Sequence, residues 1–251
     1  MAAAKAPEKV DGVRAVEMLF RPVRDIASGS QAFYHTQTRL NTPTMGVLTS
    51  EQFRPVSDLT SQCIELFWLE LQQALDSIKV FDEREISFQW ISVYMPPRFL
   101  REASAEHQLV ERFSMNKIAT NRICFELGGA LFDEEPVVGL TMRNLRNRGF
   151  HFMLSGFGGT NCPMMRLADF PVDYVMLSPE LAGYLERGER SEGAVRSVIS
   201  FVSDLEAEAI ADGIRSSRQA ELLHSFECSY IAGALAGHYL QARYIRSKDD
   251  D

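Results

Sequence analysis

The feature that most constrains this chain is a repeated alternation of short apolar runs with helix-like stretches. The runs are typical of buried strands, and most of them are separated by patterns of helical period. Strands joined through helices pair in parallel, so this order predicts βαβ units around a parallel sheet. The predicted strands are 86–93, 122–127, 150–157, 173–179, 206–214 and 228–235, and helices between them are predicted over 137–149, 191–206 and 217–227.

The N-terminal part adds two further strands. The segments 16–23 and 31–40 flank the turn Ala27-Ser28-Gly29-Ser30 and predict a hairpin. Together with the six later runs they supply eight strands. A closed α/β barrel is therefore the predicted fold, and a doubly wound open sheet is the alternative. One helix is predicted over 50–78.

Length and charge narrow the class of protein further. The 251 residues suit one barrel, predicted over 13–246, with solvated tails at 1–12 and 247–251. The net charge of −8 opposes sequence-independent binding to nucleic acid. No apolar run approaches the roughly 20 residues that span a bilayer, and the N-terminus lacks a signal-peptide core. Four scattered cysteines fit reduced thiols, so a cytoplasmic location is expected.

The glycine-rich segment Ser155-Gly156-Phe157-Gly158-Gly159 follows a predicted strand, at the place where an α/β enzyme usually carries its reactive groups. This segment contains no acid, no base and no histidine. The other predicted strand ends supply one firm carboxylate, Glu126, and one possible one, which are too few for metal-assisted or acid–base chemistry. They carry Tyr94, Glu126, Met176, Ser178, Asp212, Arg215, Ala232 and Gly233.

Several segments, in order and spacing, resemble the EAL domain, the cyclic di-GMP phosphodiesterase family of bacterial signalling. The resemblance spans Val16 to Tyr244 and implies a (β/α)8 TIM-like barrel whose first strand is antiparallel. In the family, two divalent cations activate the water that attacks a phosphodiester. The segments are LFRPVRDIASG, VLTSEQFRPVSD, LRNRGFHFMLSGFGG, FPVDYVML, IADGIRS and CSYIAGALAG.

Transferred position by position, the resemblance implies that the catalytic set is lost. Glu126 is kept, Asp212 replaces a longer glutamate, and Arg39 falls on the arginine that contacts a ligand phosphate. These three are the vestigial ligand-binding residues, and no metal or other cofactor is expected. The degenerate positions are His35, Thr36 and Gln37 for Glu-Ala-Leu, Tyr94 for Asn, Ser155 and Gly156 for the paired aspartates, Met176 for lysine, Arg215 for the second glutamate, and Ala232 for Gln.

Some of these residues have more than one interpretation. Glu126 is either a vestigial ligand or a buried carboxylate satisfied by Arg215, Arg39 or backbone donors. His35 is a ligand, a base or simply a hydrogen-bonded histidine, which is the favoured interpretation. The segment Tyr94–Pro97 either terminates a strand or forms an apolar contact patch, and Met164-Met165 leaves the same choice.

The resemblance without its chemistry predicts a catalytically inactive EAL-like regulatory domain that acts through protein–protein interaction. The expected partner is an unidentified regulatory protein, with neither nucleic acid nor a membrane, and a homodimer is an option. The alternative is a non-hydrolysing cyclic di-GMP receptor, which we favour less because few ligand contacts remain. An active phosphodiesterase with rearranged metal ligands is the remotest interpretation.

Overall fold

A computed structural model describes residues 9–10, 13–135, 137–160 and 162–246. Its strands are β1 (Lys9–Val10), β2 (Val13–Arg14), β3 (Val16–Asp25), β4 (Gln31–Thr42), β5 (Gly46–Thr49), β6 (Ile91–Tyr94), β7 (Ile123–Leu127), β8 (His151–Phe157), β9 (Tyr174–Leu177), β10 (Glu208–Ala211), β11 (Tyr230–Ile231) and β12 (Leu240–Gln241). Its α-helices are α1 (Ser50–Ser57), α2 (Gln62–Glu83), α3 (Ala105–Asn116), α4 (Val137–Asn147), α5 (Pro179–Ala182), α6 (Glu189–Asp204) and α7 (Ser217–Ser225).

Eight strands close into a barrel in the order β3-β11-β10-β9-β8-β7-β6-β4, and the pairing of β3 with β4 completes the ring. From β4 through β11 the neighbours in this ring run parallel, whereas β3 is antiparallel to both β4 and β11. The strands β5 and β12 extend the sheet beyond the ring. The predicted barrel with an antiparallel first strand is confirmed, and the open-sheet alternative is wrong.

Alternate residues of each strand point to opposite faces, which divides the core into two clusters. On β4, Phe33 belongs to a cluster of residues from the strands and their immediate ends, and it lies inside the barrel. Its neighbour Tyr34 belongs to the larger cluster, which also contains the buried faces of the helices. The structure therefore has the two layers that a helix-wrapped barrel requires.

Two differences between the structure and the sequence-based element boundaries lie in the N-terminal third of the chain. The predicted helix 50–78 is two helices, α1 and α2, and α2 continues to Glu83 because Phe81 is fully buried, 5.4 Å from the ring of Phe20. The N-terminal segment predicted as a tail contains the β1–β2 pairing. The rest of that segment and residues 247–251 lie outside the described residues. In the described ranges, no helix combines the length and apolarity needed to cross a membrane.

Candidate functional site

The carboxyl ends of the parallel strands surround one opening of the barrel, the end where enzymes of this architecture carry their active sites. We call the polar cluster at this opening the barrel mouth. It consists of Arg21 from β3, His35 from β4, Glu126 from β7, Asp212 after β10, and Tyr239 before β12.

Glu126 and His35 form a direct contact across the barrel interior. The distance between His35 Nε2 and Glu126 Oε2 is 3.0 Å, and the two side chains are 11% and 14% exposed. The Ser92 hydroxyl also donates to Oε2, at 3.5 Å. Burial acts to raise the pKa of Glu126, but His35, together with Ser155 and Arg54, outweighs it, so the pKa lies below its ordinary value of 4.5. The favoured hydrogen-bonded interpretation of His35 is confirmed.

The structure corrects the expected partners of Glu126. The side chain of Arg215 is exposed, and its backbone N–H donates to Gln219. Arg39 lies four residues after His35 on β4, opposite Glu17 of β3. The prediction that one of these arginines pairs with Glu126 is wrong, because His35 faces the interior from the same strand as Arg39 and reaches Glu126 first.

Arg21 is the central cation of the barrel mouth, and sequence analysis did not select it. Its Nη1 and Nη2 lie 2.9 and 3.0 Å from the two oxygens of Asp212, a bidentate pair. Burial opposes the charge of Arg21, but Tyr239 and Asp212 raise its pKa above the ordinary value. The sequence did contain a signal for Arg21. Side chains alternate between the two faces of a strand, so Arg21 points to the same face as Val23, which lies inside the barrel.

The contacts of His35 Nδ1 indicate where its ring proton lies. The Tyr239 hydroxyl is 2.7 Å from Nδ1, and Arg21 Nη2 approaches the same atom at 3.5 Å. A guanidinium group can only donate, which favours the tautomer in which Nδ1 accepts and Nε2 carries the proton towards Glu126. The lone pair that a general base would use therefore faces two internal donors.

A second polar cluster lies beside the barrel mouth. Arg54 Nη2 donates to Glu70 Oε1 at 2.5 Å, and the Arg54 guanidinium lies 3.9 Å from the centre of the Tyr94 ring. The Tyr94 hydroxyl donates to Asp58, and burial together with this carboxylate raises the pKa of Tyr94. Burial also raises the pKa of Glu70, despite the charge of Arg54.

The contacts of this cluster distinguish the two interpretations of the segment Tyr94–Pro97. Tyr94 is held by Arg54 and Asp58, while Met95, Pro96 and Pro97 are all buried. The contact-patch interpretation of this segment is therefore wrong, since its side chains are covered by the protein itself. For Met164-Met165 the interface interpretation stays a prediction, because Met165 is 77% exposed.

Other predicted positions serve packing or local structure. Met176 and Ala232 are buried in the barrel interior, and Ser178 caps helix α5 by accepting from the N–H of Glu180. Ser155 is half-buried beside Leu127, and its hydroxyl donates to that residue's carbonyl. The other degenerate positions are Thr36, which bonds to Ser92, Gln37, which donates to Glu51, and Gly156, which is exposed with φ of +75°.

The side chains at the barrel mouth are poorly suited to bind a pair of divalent cations. Such cations need several free oxygen ligands that converge on one point. Glu126 Oε2 already accepts from His35, and both oxygens of Asp212 are engaged by Arg21, with the N–H of Gly213 also donating to one. Throughout the described ranges, no three His, Cys, Asp or Glu side chains lie together in a way that could hold a metal ion.

Comparison with known proteins gives one family and a consistent fold. The family model described as EAL domain matches residues 11–239. The cyclic di-GMP phosphodiesterase PA2567 of Pseudomonas aeruginosa is 19% identical over 87% of this chain, and the chain spans only 37% of that relative's length.

Two solved structures superpose on most of the chain. An EAL domain protein from Listeria monocytogenes aligns with a TM-score of 0.78 at 17% identity, covering 91% of this chain and 90% of that one. The FimX EAL domain from Pseudomonas aeruginosa, solved bound to c-di-GMP, aligns with a TM-score of 0.75 at 15% identity and covers 91% of both chains. At these identities the structural matches show the fold alone.

Proposed function

Because the chain belongs to the EAL domain family and its barrel mouth is filled by its own paired side chains, we propose that it is a catalytically inactive regulatory domain. It acts by binding another protein in bacterial cyclic di-GMP signalling. The observation that carries the proposal is that Glu126 and Asp212, the two carboxylates at the mouth, are held by His35 and Arg21.

The chemistry of these contacts supports inactivity. Hydrolysis of a phosphodiester requires an activated water and stabilisation of the charge that develops on the phosphate oxygens. Asp212 cannot bind a cation without first losing Arg21, one oxygen of Glu126 already accepts from His35, and the bidentate Arg21 places a positive charge where cations would bind. Met176 and Ala232 present only apolar groups at two further positions.

A non-hydrolysing cyclic di-GMP receptor is the second candidate. Arg39 favours it, because this half-buried arginine falls on the position that the resemblance assigns to a ligand phosphate, and guanidinium suits phosphate geometry. The FimX EAL domain, solved with c-di-GMP, shares the fold. Against this candidate, only one such arginine is retained, and hydrogen-bonded side chains already occupy the mouth below it.

Two binding measurements separate the candidates. The intact chain is used to capture proteins from a bacterial lysate, and each captured protein is purified and titrated by isothermal calorimetry. Equilibrium dialysis with labelled cyclic di-GMP is run in parallel on the wild type and on Arg39→Ala. We expect a saturable protein partner and no nucleotide binding in the micromolar range. Micromolar nucleotide binding that Arg39→Ala abolishes, with no protein partner, would overturn the proposal in favour of the receptor.

A further inference from the structure

A groove on the outside of the barrel is distinct from the mouth. It lies between helix α2, strand β3 and the segment around β12, and it has a volume of about 560 Å³. In a (β/α)8 barrel each strand is followed by a helix that covers the outside of the sheet. In the described part of this chain, β11 is followed by a turn, by β12 and by a short 3-10 helix over Ala242–Tyr244. Within the described residues, no α-helix after β11 covers this groove.

The wall formed by α2 has the dimensions of a helix-binding surface. The groove-facing positions of α2 recur every three or four residues, which places them in one stripe along the helix. The stripe spans twelve residues, and its eleven rises of 1.5 Å give a length of about 16 Å. Met18 and Phe20 of β3 form part of the floor. The stripe consists of Gln73, Asp76, Ser77 and Val80 of α2 and of Arg84, the residue that follows the helix.

The net charge of the side chains around the groove is opposite in sign to the net charge of the whole protein. Four cationic and two acidic side chains line it, a positive surplus in a chain of net charge −8. The acids already have partners: Gln241 donates to Glu17 at 2.5 Å, and Lys79 lies 3.7 Å from Asp76. Within the described residues, none of the cations has a carboxylate within salt-bridge distance. They are Lys9, Arg14, Arg84 and Arg243.

We propose that this groove docks an amphipathic helix of a partner protein, about three turns long, with an apolar stripe and acidic flanks. The inference rests on the proposed protein-binding function and assigns it a surface. The apolar stripe packs on Val80, with Met18 and Phe20 buried beneath it in the floor of the groove. The acidic flanks pair with Arg84 and Arg243, which at present donate to backbone carbonyls and to Gln241 rather than to carboxylates.

The test uses a display library of 14-residue peptides on the intact chain. The library fixes leucines at helical spacing and varies each flanking position among Glu, Lys and Ser. We expect Glu to be enriched on the flanks. The selected peptide should lose at least tenfold in affinity for Arg84→Glu/Arg243→Glu, and at least tenfold between 50 and 300 mM salt, because exposed charge pairs are screened. Arg190→Glu, an exposed arginine on α6, is the control and should bind like the wild type.

Four results would overturn the proposal. The first two are enrichment of Lys or of no residue on the flanks, and equal binding to the wild type and the charge-reversal variant. The other two are binding that is unchanged by a proline in the middle of the peptide, and tighter binding to a variant without residues 247–251. The last would assign the groove to the chain's own acidic end. If the charge-reversal variant still binds the captured protein partner, the groove assignment fails while the proposed function stands.

Discussion

The two ends of the barrel interior are built from the same strands but have opposite chemistry. On β4 the inward residue Phe33 is followed two positions later by His35, and on β7 Cys124 is followed by Glu126. A change from an apolar to a charged side chain also occurs between Ile210 of β10 and Asp212, just after that strand. On β3, which runs in the opposite direction, it occurs from Val23 back to Arg21. One step of two residues changes an apolar layer into a charged one.

The apolar layer is packed around stacked aromatic rings. Phe33 and Trp90 are parallel with centroids 4.0 Å apart, and Tyr174 packs against both. Met176 and Ala232 extend this layer to positions where the resemblance would require lysine and Gln. The comparison indicates that the inner layer holds the barrel together, while the mouth consists of charged side chains that pair with one another.

Removing the central ring of the apolar layer should have the largest effect. Phe33→Ala is expected to lower the free energy of unfolding by about 4 kcal/mol, because a fully buried phenylalanine leaves a cavity that the rigid strands cannot close. Urea denaturation followed by circular dichroism measures the loss. Phe33→Leu keeps most of the volume and should lose less than half as much. Equal losses in the two variants would show that the layer is not packed around this ring.

Breaking the buried ion pair at the mouth should have the next largest effect. Arg21→Ala is expected to cost about 3 kcal/mol, because Asp212 is left largely buried without its cation. Arg122→Ala removes the more exposed contact with Asp82 and should cost under about 1 kcal/mol. If Arg21→Met/Asp212→Leu recovers most of the stability to urea that Arg21→Ala loses, the loss comes from leaving Asp212 without its cation. A cost below that of Arg122→Ala would contradict the buried pairing.

Replacing His35 should reverse the pH dependence that Glu126 contributes to stability. In the wild type the pKa of Glu126 is lowered, so its contribution is present above pH 4.5 and is lost as pH falls through the folded-state pKa. In His35→Leu, burial without the histidine should raise this pKa, so stability falls as pH rises from 4.5 towards 7. We expect a divergence of about 1–2 kcal/mol, measured by urea unfolding across this range. The divergence should vanish in His35→Leu/Glu126→Gln; its persistence there would exclude Glu126 as the cause.

Restoring carboxylates at the mouth should give the smallest effect. In Ser155→Asp/Gly156→Asp/His35→Glu the added acids lie near Glu126 and should destabilise the protein without metal. Aspartate tolerates the left-handed backbone at Gly156, and no atom lies within 4 Å of the new Cβ position. Mn²⁺ at about ten times its Kd should return about 1.4 kcal/mol by mass action. Thermal unfolding with and without Mn²⁺ checks this, and equal responses of variant and wild type would mean that these positions do not converge.

The sequence carried most of the information about the fold, because its signals are local. Strand runs between helical stretches, and the turn at Ala27–Ser30, predicted the closed barrel directly. The break at Asp58 between α1 and α2 was not predicted, because it depends on contacts of Asp58 and Arg54 with Tyr94, which is distant in sequence.

The site was only partly predictable. The sequence predicts Glu126 at its strand end, but the partners it suggests are an arginine or backbone donors and not His35, because spacing along the chain does not show which side chains meet across a barrel. Arg21 had a signal in its inward parity. Tyr239 had none, since it lies in an irregular segment 204 residues from His35 and has no periodicity to indicate its direction.

Hydrolysis of cyclic di-GMP by the wild-type chain, followed by chromatography with millimolar Mg²⁺ or Mn²⁺, tests the central claim most directly. Glu126→Ala serves as the matched control, because any residual metal-dependent chemistry at the mouth would need this carboxylate. The account predicts no turnover above the level of Glu126→Ala with either metal. Turnover by the wild type that Glu126→Ala abolishes would contradict it, and would mean that His35 and Arg21 release the carboxylates when metal binds.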